Sequence, residues 1–351
     1  MTQRKVLDCT EDSVELQDVL NKLVEIKEDA QQRSWQLHED EHIILGLVEK
    51  LRALLTDADS AICNRVLARD GYSAIETLVT YYQMEPRWSI RQVLLEVFVL
   101  SCGLHPLIIT ALLNSVLPQE LGRDIRTSYA ANQERVPQST LLLSCLFCMG
   151  EAMPLSHLDQ LGADFICFIL DGIEKIETDE EETVSDLFLS FLLAYNLQFD
   201  PTGSGTSNVV LECLQDRSQA NVFTSKLLQM FNREEDPVRL FPHEPAPMHS
   251  VLKMMIDLFD NPHTASLFYT NDVKVVIDIL VRMINDISSG ESKRSVYLDL
   301  CRAVLNSCDY AEHRHRSDDL MKCFTWIQEE TPPCTKDIEL VDAIVNRHFL
   351  T

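Results

Sequence analysis

The sharpest candidate for chemistry is His38-Glu39-Asp40-Glu41-His42, which fits the H-E-x-x-H pattern. On a helix that spacing puts two imidazoles on one face to hold zinc, with a glutamate between them as base, and would make a hydrolase. Its two inner positions are acids, and no third ligand stands at a familiar downstream distance. Acids in the first turn of the helix running toward Leu55 account for them through the helix dipole. Cys145-Leu-Phe-Cys148 sits inside an apolar helical run, with neither a second pair nor a redox βαβ setting, and reads as buried packing. Gly203-Ser-Gly205 lacks the remaining glycine and the strand of a dinucleotide loop, and no G-x-x-x-x-G-K-[ST] occurs. With no converging acid, base and nucleophile, the expectation is no enzyme, no metal and no cofactor.

Two other clusters suit recognition better than catalysis. Tyr81-Tyr-Gln-Met-Glu-Pro-Arg-Trp88 closes one helix and opens the next, bringing aromatic, Met and Arg side chains to a corner. Those types are enriched at binding hot spots and serve equally well to close a core. His313-Arg-His-Arg316 gathers basic-capable side chains in an acidic protein. They complement the C-terminus of the helix before them, or form a positive site for a carboxylate-bearing partner.

The elements that would position these residues are helices. Met248, Val251, Leu252, Met255, Ile256 and Phe259 recur at helical spacing, and Val276, Ile279, Leu280, Met283, Ile284 and Ile287 repeat the series. Pro86, Pro106 and Pro262 stand as first-turn prolines, the last behind Asn261 as N-cap, while Gly71 and Gly290 read as stops. The spacing predicts roughly fifteen to nineteen helices joined by short connections. Stripes recurring in pairs or triplets about every forty residues match HEAT or armadillo units, without a visible internal repeat. The fold class is therefore all-α: an armadillo/HEAT-like α-solenoid with degenerate repeats. An N-terminal helical segment, 1–34, precedes one continuous solenoid domain, 35–351.

Three breaks interrupt the helices. The run from Glu174 to Asp186 holds seven acids and one Lys and reads as a solvated loop and helix start. Asp200 to Ser207 is turn-rich. Asp236 to Pro247 carries four prolines, which forbid a continuous helix and stiffen an extended segment. Its alternatives are a loop packed across the solenoid, with Arg239 paired internally, and a direct partner contact.

Composition bounds the function. The 351 residues are 46% hydrophobic and carry a formal charge of −25, a field that repels phosphate backbones and anionic lipid heads. No apolar run reaches membrane-span length, and no basic segment followed by an apolar core and a small-residue cleavage site occurs among the first residues. Eleven dispersed cysteines fit a reducing cytosol. The expectation is a soluble, cytoplasmic protein that binds other proteins, with no nucleic acid and no membrane insertion. Self-association is left open.

Several stretches resemble a known family in collinear order from about Trp35 to Phe349. They include Leu55-Thr-Asp-Ala-Asp59, Thr80-Tyr-Tyr-Gln-Met-Glu85, Met149-Gly-Glu-Ala-Met-Pro154, Asp236-Pro-Val-Arg-Leu-Phe241, His243-Glu-Pro245, His249-Ser-Val-Leu252 and His313-Arg-His-Arg316. Together they look like the C-terminal leucine-rich, armadillo-like domain of the family of the NCK-interacting protein with SH3 domain, also called diaphanous-interacting or WASP-interacting SH3 protein. Animal members also carry an SH3 domain and a proline-rich region, which the stretches matched here do not include.

The resemblance implies an activator of the actin-related protein 2/3 complex that seeds linear, unbranched filaments without a mother filament. It also implies links to formins and endocytic actin regulators, at the cell cortex or in actin patches. The alternative is a passive adaptor that holds a formin or an endocytic factor without activating the complex. The resemblance hands over no residue-level contacts. The candidates for partner binding are the distinctive polar and aromatic positions Tyr81, Tyr82, Arg87, Arg239, His243, Glu244, His249, Arg314 and Arg316.

Overall fold

The computed structural model describes residues 10–28, 41–129, 134–199, 207–308 and 310–350. These are helical throughout, with twenty α-helices and no strand among the described residues. Among the described residues the first two helices are α1 (Glu11–Glu28) and α2 (Glu41–Asp57). Six three-helix units follow, each a short first helix, a longer second and a third that stacks on its predecessor. They are α3 (Ser60–Leu67), α4 (Ser73–Met84) and α5 (Trp88–Leu104), then α6 (Pro106–Leu113), α7 (Leu117–Ser128) and α8 (Arg135–Phe147), then α9 (Leu158–Leu161), α10 (Ala163–Glu174) and α11 (Asp179–Asn196). The second half repeats the plan with α12 (Val209–Gln215), α13 (Asn221–Arg233) and α14 (Ser250–Phe259), then α15 (Pro262–Ala265), α16 (Thr270–Asp286) and α17 (Ser292–Ser307), then α18 (Tyr310–His313), α19 (Ser317–Glu329) and α20 (Thr335–His348).

The third helices form one ladder: α2 packs on α5, α5 on α8, α8 on α11, α11 on α14, α14 on α17 and α17 on α20. Each buries its apolar stripe between two neighbours, so one hydrophobic core runs the length of the stack. The unit period is nearer fifty residues than forty, because long connections add to each helix triplet. The helix count exceeds the expected range because α9, α15 and α18 are four-residue turns, too short to show a period. Among the described helices none is long and apolar enough to cross a membrane.

Local chemistry fixes the ends. Pro106 and Pro262 occupy first turns, with Asn261 accepting from the His263 amide at 2.9 Å, whereas Pro86 lies ahead of α5, whose N-cap is Arg87. Thr178 caps α11 by accepting from the Glu181 amide, and four acids fill the first turn, so the acidic run is a solvated helix start. Glu174 reaches from the end of α10 to accept from the Val222 and Phe223 amides, satisfying the start of α13 from another helix. Gly172 permits α10 to lie close on α11: a Cβ there would meet the Phe188 ring at 2.5 Å.

Candidate partner-binding surfaces

The nine candidate residues fall into three separate places. The first is the α4–α5 corner. Tyr82 is fully buried, donates to Asp124 Oδ2 at 2.6 Å, and lies 4.2 Å beneath the Arg91 guanidinium, which pairs with the same carboxylate at 2.5 Å. Tyr81 donates to Glu85 Oε2 at 3.0 Å, and Arg87 closes on both Glu85 oxygens at 2.7 Å. Burial pushes the Glu85 carboxyl up, and the Arg87 hydrogen bonds more than reverse it, leaving it below the ordinary carboxylate value. Burial raises Asp124 instead, against the pull of Tyr82 and Arg91. Tyr81, Tyr82 and Arg87 thus hold the corner together with their polar groups turned inward.

The second place is the segment between α13 and α14. Asp236 clasps its base: Oδ1 accepts from the Ser250 hydroxyl at 2.6 Å and Oδ2 from the Ser250 amide at 3.2 Å. His249 is half-buried, its Nδ1 3.8 Å from Asp236 Oδ2. His243, at the tip, is buried, and its Nε2–H donates to the Cys102 carbonyl of α5 at 2.7 Å. Phe241 lies beside it against Gly103, where a Cβ would meet the ring at 3.6 Å. The proline-rich run is therefore an extended strap packed across the solenoid. Arg239 pairs with Glu244 at 3.2 Å inside the strap, and both stay exposed. His243 and His249 work inward, whereas Arg239 and Glu244 face out.

The third place is the α18–α19 corner. Arg314 and Arg316 both take left-handed backbone, φ 43° and 56°, as the chain turns sharply into α19. Arg316 pairs with Asp319 at 3.0 Å, and His315 reaches Asp278 of α16 at 3.0 Å. These basic side chains thus meet acids of neighbouring helices, while Arg314 is exposed.

Of the zinc-spaced motif, His38, Glu39 and Asp40 lie outside the described residues; His42 is exposed in the first turn of α2. Among the described residues no group of three metal-ligating side chains converges. Gly203-Ser-Gly205 also lies outside them, as does the expected domain boundary at 34/35. Cys145 and Cys148 are both buried free thiols, pushed up to about 12 by burial, which is the packing role read from their apolar setting.

Sequence reasoning missed an open apolar groove of about 400 Å³ between α2, α5 and α8. Leu95, Val99, Leu100 and Leu141 line it, and the Arg52–Glu96 ion pair, at 2.7 Å, stands on its rim. The signal was present in α5, where apolar residues occur on every face from Val93 to Leu104, more than one packing stripe requires. A second missed feature is the exposed Trp326 beside Met321 on α19.

Comparison with known proteins bears out the resemblance. Residues 181–320 match the SPIN90/Ldb17 leucine-rich domain family, a stretch from the start of α11 into α19 that includes the strap and the α18–α19 corner. Protein LDB17 of Saccharomyces cerevisiae is 28% identical over 202 residues, 54% of this chain and 38% of that protein. Protein dip1 of Schizosaccharomyces pombe is 28% identical over 192 residues, 52% of this chain and 48% of that protein. Protein LDB17 of Eremothecium gossypii is 24% identical over 205 residues, 56% and 42% of the two chains. The match spans less than half the length of each of these relatives.

Proposed function

The chain is a relative of the SPIN90/Ldb17 leucine-rich domain, and on that premise we propose that it is a non-catalytic activator of the actin-related protein 2/3 complex. In this reading it seeds linear filaments without a mother filament, at cortical or endocytic actin in the cytoplasm, with formins and endocytic regulators as further partners. The observation that carries it is the family match over 181–320. The solenoid supports it as a scaffold: a continuous stack presents a long, preorganised surface to a protein partner. Within the matched stretch the outward-facing candidates are Arg239, Glu244, Arg314 and Arg316.

Activation by binding alone needs differential affinity. The solenoid would hold the complex with its two actin-like subunits side by side more tightly than in its splayed form, and turning a 1:99 population into 99:1 takes ~5.5 kcal/mol. Equal affinity for both forms would activate nothing. Pyrene-actin assembly with the purified complex and this chain, without seeds or any other activator, is expected to accelerate and to yield unbranched filaments. Binding without acceleration would make the chain a passive adaptor and end the activator reading.

A further inference from the structure

We infer that the strap 236–249 is a chord that fixes the curvature of the solenoid, with His243 as its latch. Both ends of the strap are fastened. Asp236 and Ser250 clasp the base at the start of α14, and the tip is held on α5 by the His243 hydrogen bond to Cys102 and the Phe241 ring on Gly103. Seven residues separate the tip from either end of the base, so the tip reaches at most ~25 Å from it. Along the ladder, α5 and α14 are three steps apart, through α8 and α11. At ~8–10 Å per step that is already ~24–30 Å for a straight stack, before any offset along the helix axes. That span is comparable to the reach of the strap, so the latched strap limits how far α5 and α14 can open from one another.

The seam it bypasses has a reason to need a tie. Between α11 and α14 the packing is interrupted by polar groups: Lys253 pairs with Asp257 at 2.6 Å, Asn196 donates to the same carboxylate at 2.6 Å, and Asn208 donates to Asn196 at 2.8 Å. Lys253 is only 7% exposed. The ion pair closes within α14, so of these groups only the Asn196 hydrogen bond to Asp257 ties α11 to α14. The strap supplies a second, independent connection across the joint. Its contacts use a backbone carbonyl and a glycine surface, so they hold α5 in position without drawing on its core side chains.

The test is a distance across the arc. Spin labels on non-canonical residues at Ala53 and Thr325, both exposed, avoid the eleven cysteines. In the full chain the distance distribution is expected to be narrow. In the double variant Phe241→Ala, His243→Ala it is expected to shift to longer distance and broaden, while the strap amides lose hydrogen-exchange protection. His243→Gln, which keeps an N–H donor, is expected to restore the parent distribution when Phe241 is retained. An unchanged distribution with freely exchanging strap amides would overturn the chord, and a Gln variant that broadens would overturn the latch. Should the double variant fail to fold by circular dichroism, Gly103→Leu displaces the ring with the strap sequence intact, and the same two readouts decide.

Discussion

Between α8 and α11 the stack is closed by rings, and between α17 and α20 it is closed by charges. In the first seam Phe147 meets Tyr195 at 4.9 Å and Phe191 at 6.0 Å, Phe165 meets Phe191 at 5.8 Å, and Tyr195 donates to the Leu161 carbonyl. In the last seam the fully buried Arg294 engages Glu330 through both terminal nitrogens and Asp337 through Nε at 2.7 Å, while Ser295 donates to the other Asp337 oxygen. Rings supply non-directional burial that tolerates small displacements. Charges work only in one geometry, so they fix how the final unit sits and fail abruptly when one partner is lost.

The largest effect is therefore expected at the charged seam. Arg294→Ala leaves Asp337 buried beside Glu330 without a counter-charge and should cost about 3–5 kcal/mol in thermal or denaturant unfolding. Replacing the whole group by apolar residues of similar volume, as in Arg294→Met with Glu330→Leu and Asp337→Leu, should recover most of that loss. If the triple variant is as unstable as the single one, the seam depends on its charges for more than geometry and the contrast with the aromatic seam breaks. At that aromatic seam Phe191→Leu should cost only about 1–1.5 kcal/mol, because neighbouring rings close over a near-isosteric apolar side chain.

How much of this was legible in the sequence differs from helix to helix. The stripe of α16 was readable because one face meets solvent, and all six of its expected positions are buried. Met248 falls at helical spacing in the stripe of α14, yet it is 40% exposed, because the clasp of Asp236 on Ser250 holds the backbone out of the helix until Ser250. The prolines announced an extended segment; its landing point on Cys102 lies 141 residues away and is a backbone carbonyl, which leaves no side-chain signature. Tyr81, Tyr82 and Arg87 have the composition of a hot spot; Glu85, within the same motif, turns Tyr81 and Arg87 inward, whereas Tyr82 is turned inward by Arg91 and Asp124, the second of which no spacing rule links to it.

Acid separates the seams by sign. Hydrogen bonds from Arg294 hold the Glu330 carboxyl below its ordinary value, so its contribution is present above that value and lost as pH falls through the lowered, folded one. Asp257 runs the other way: burial raises it, with Lys253 and Asn196 pulling back, so the folded state takes up the proton first. Its contribution to stability rises as pH falls from the raised value to the ordinary one. In melting temperature against pH, Glu330→Gln should flatten the acid limb and Asp257→Asn the limb just above it. Identical profiles for the two variants would dissolve the distinction between a clamp and a joint.

The smallest structural effect, and the most informative for recognition, is expected from reversing the outward charges. Arg239 makes one exposed pair with Glu244, and Arg314 is exposed, so Arg239→Glu with Arg314→Glu should change stability by no more than about 0.5–1 kcal/mol. An exposed guanidinium that contributes little to folding is free to contribute to binding, where a desolvated charge reversal weakens a complex strongly. If these side chains face the actin-related complex, its affinity should drop with the melting curve nearly unmoved. If affinity holds, the surface in use lies elsewhere, and the groove beside Leu100 becomes the next place to reverse, through the Arg52–Glu96 pair on its rim. Arg87→Glu separates the two kinds of arginine: it should unfold the corner that Glu85 and Tyr81 close, so any loss of binding there tracks the melting curve rather than departing from it.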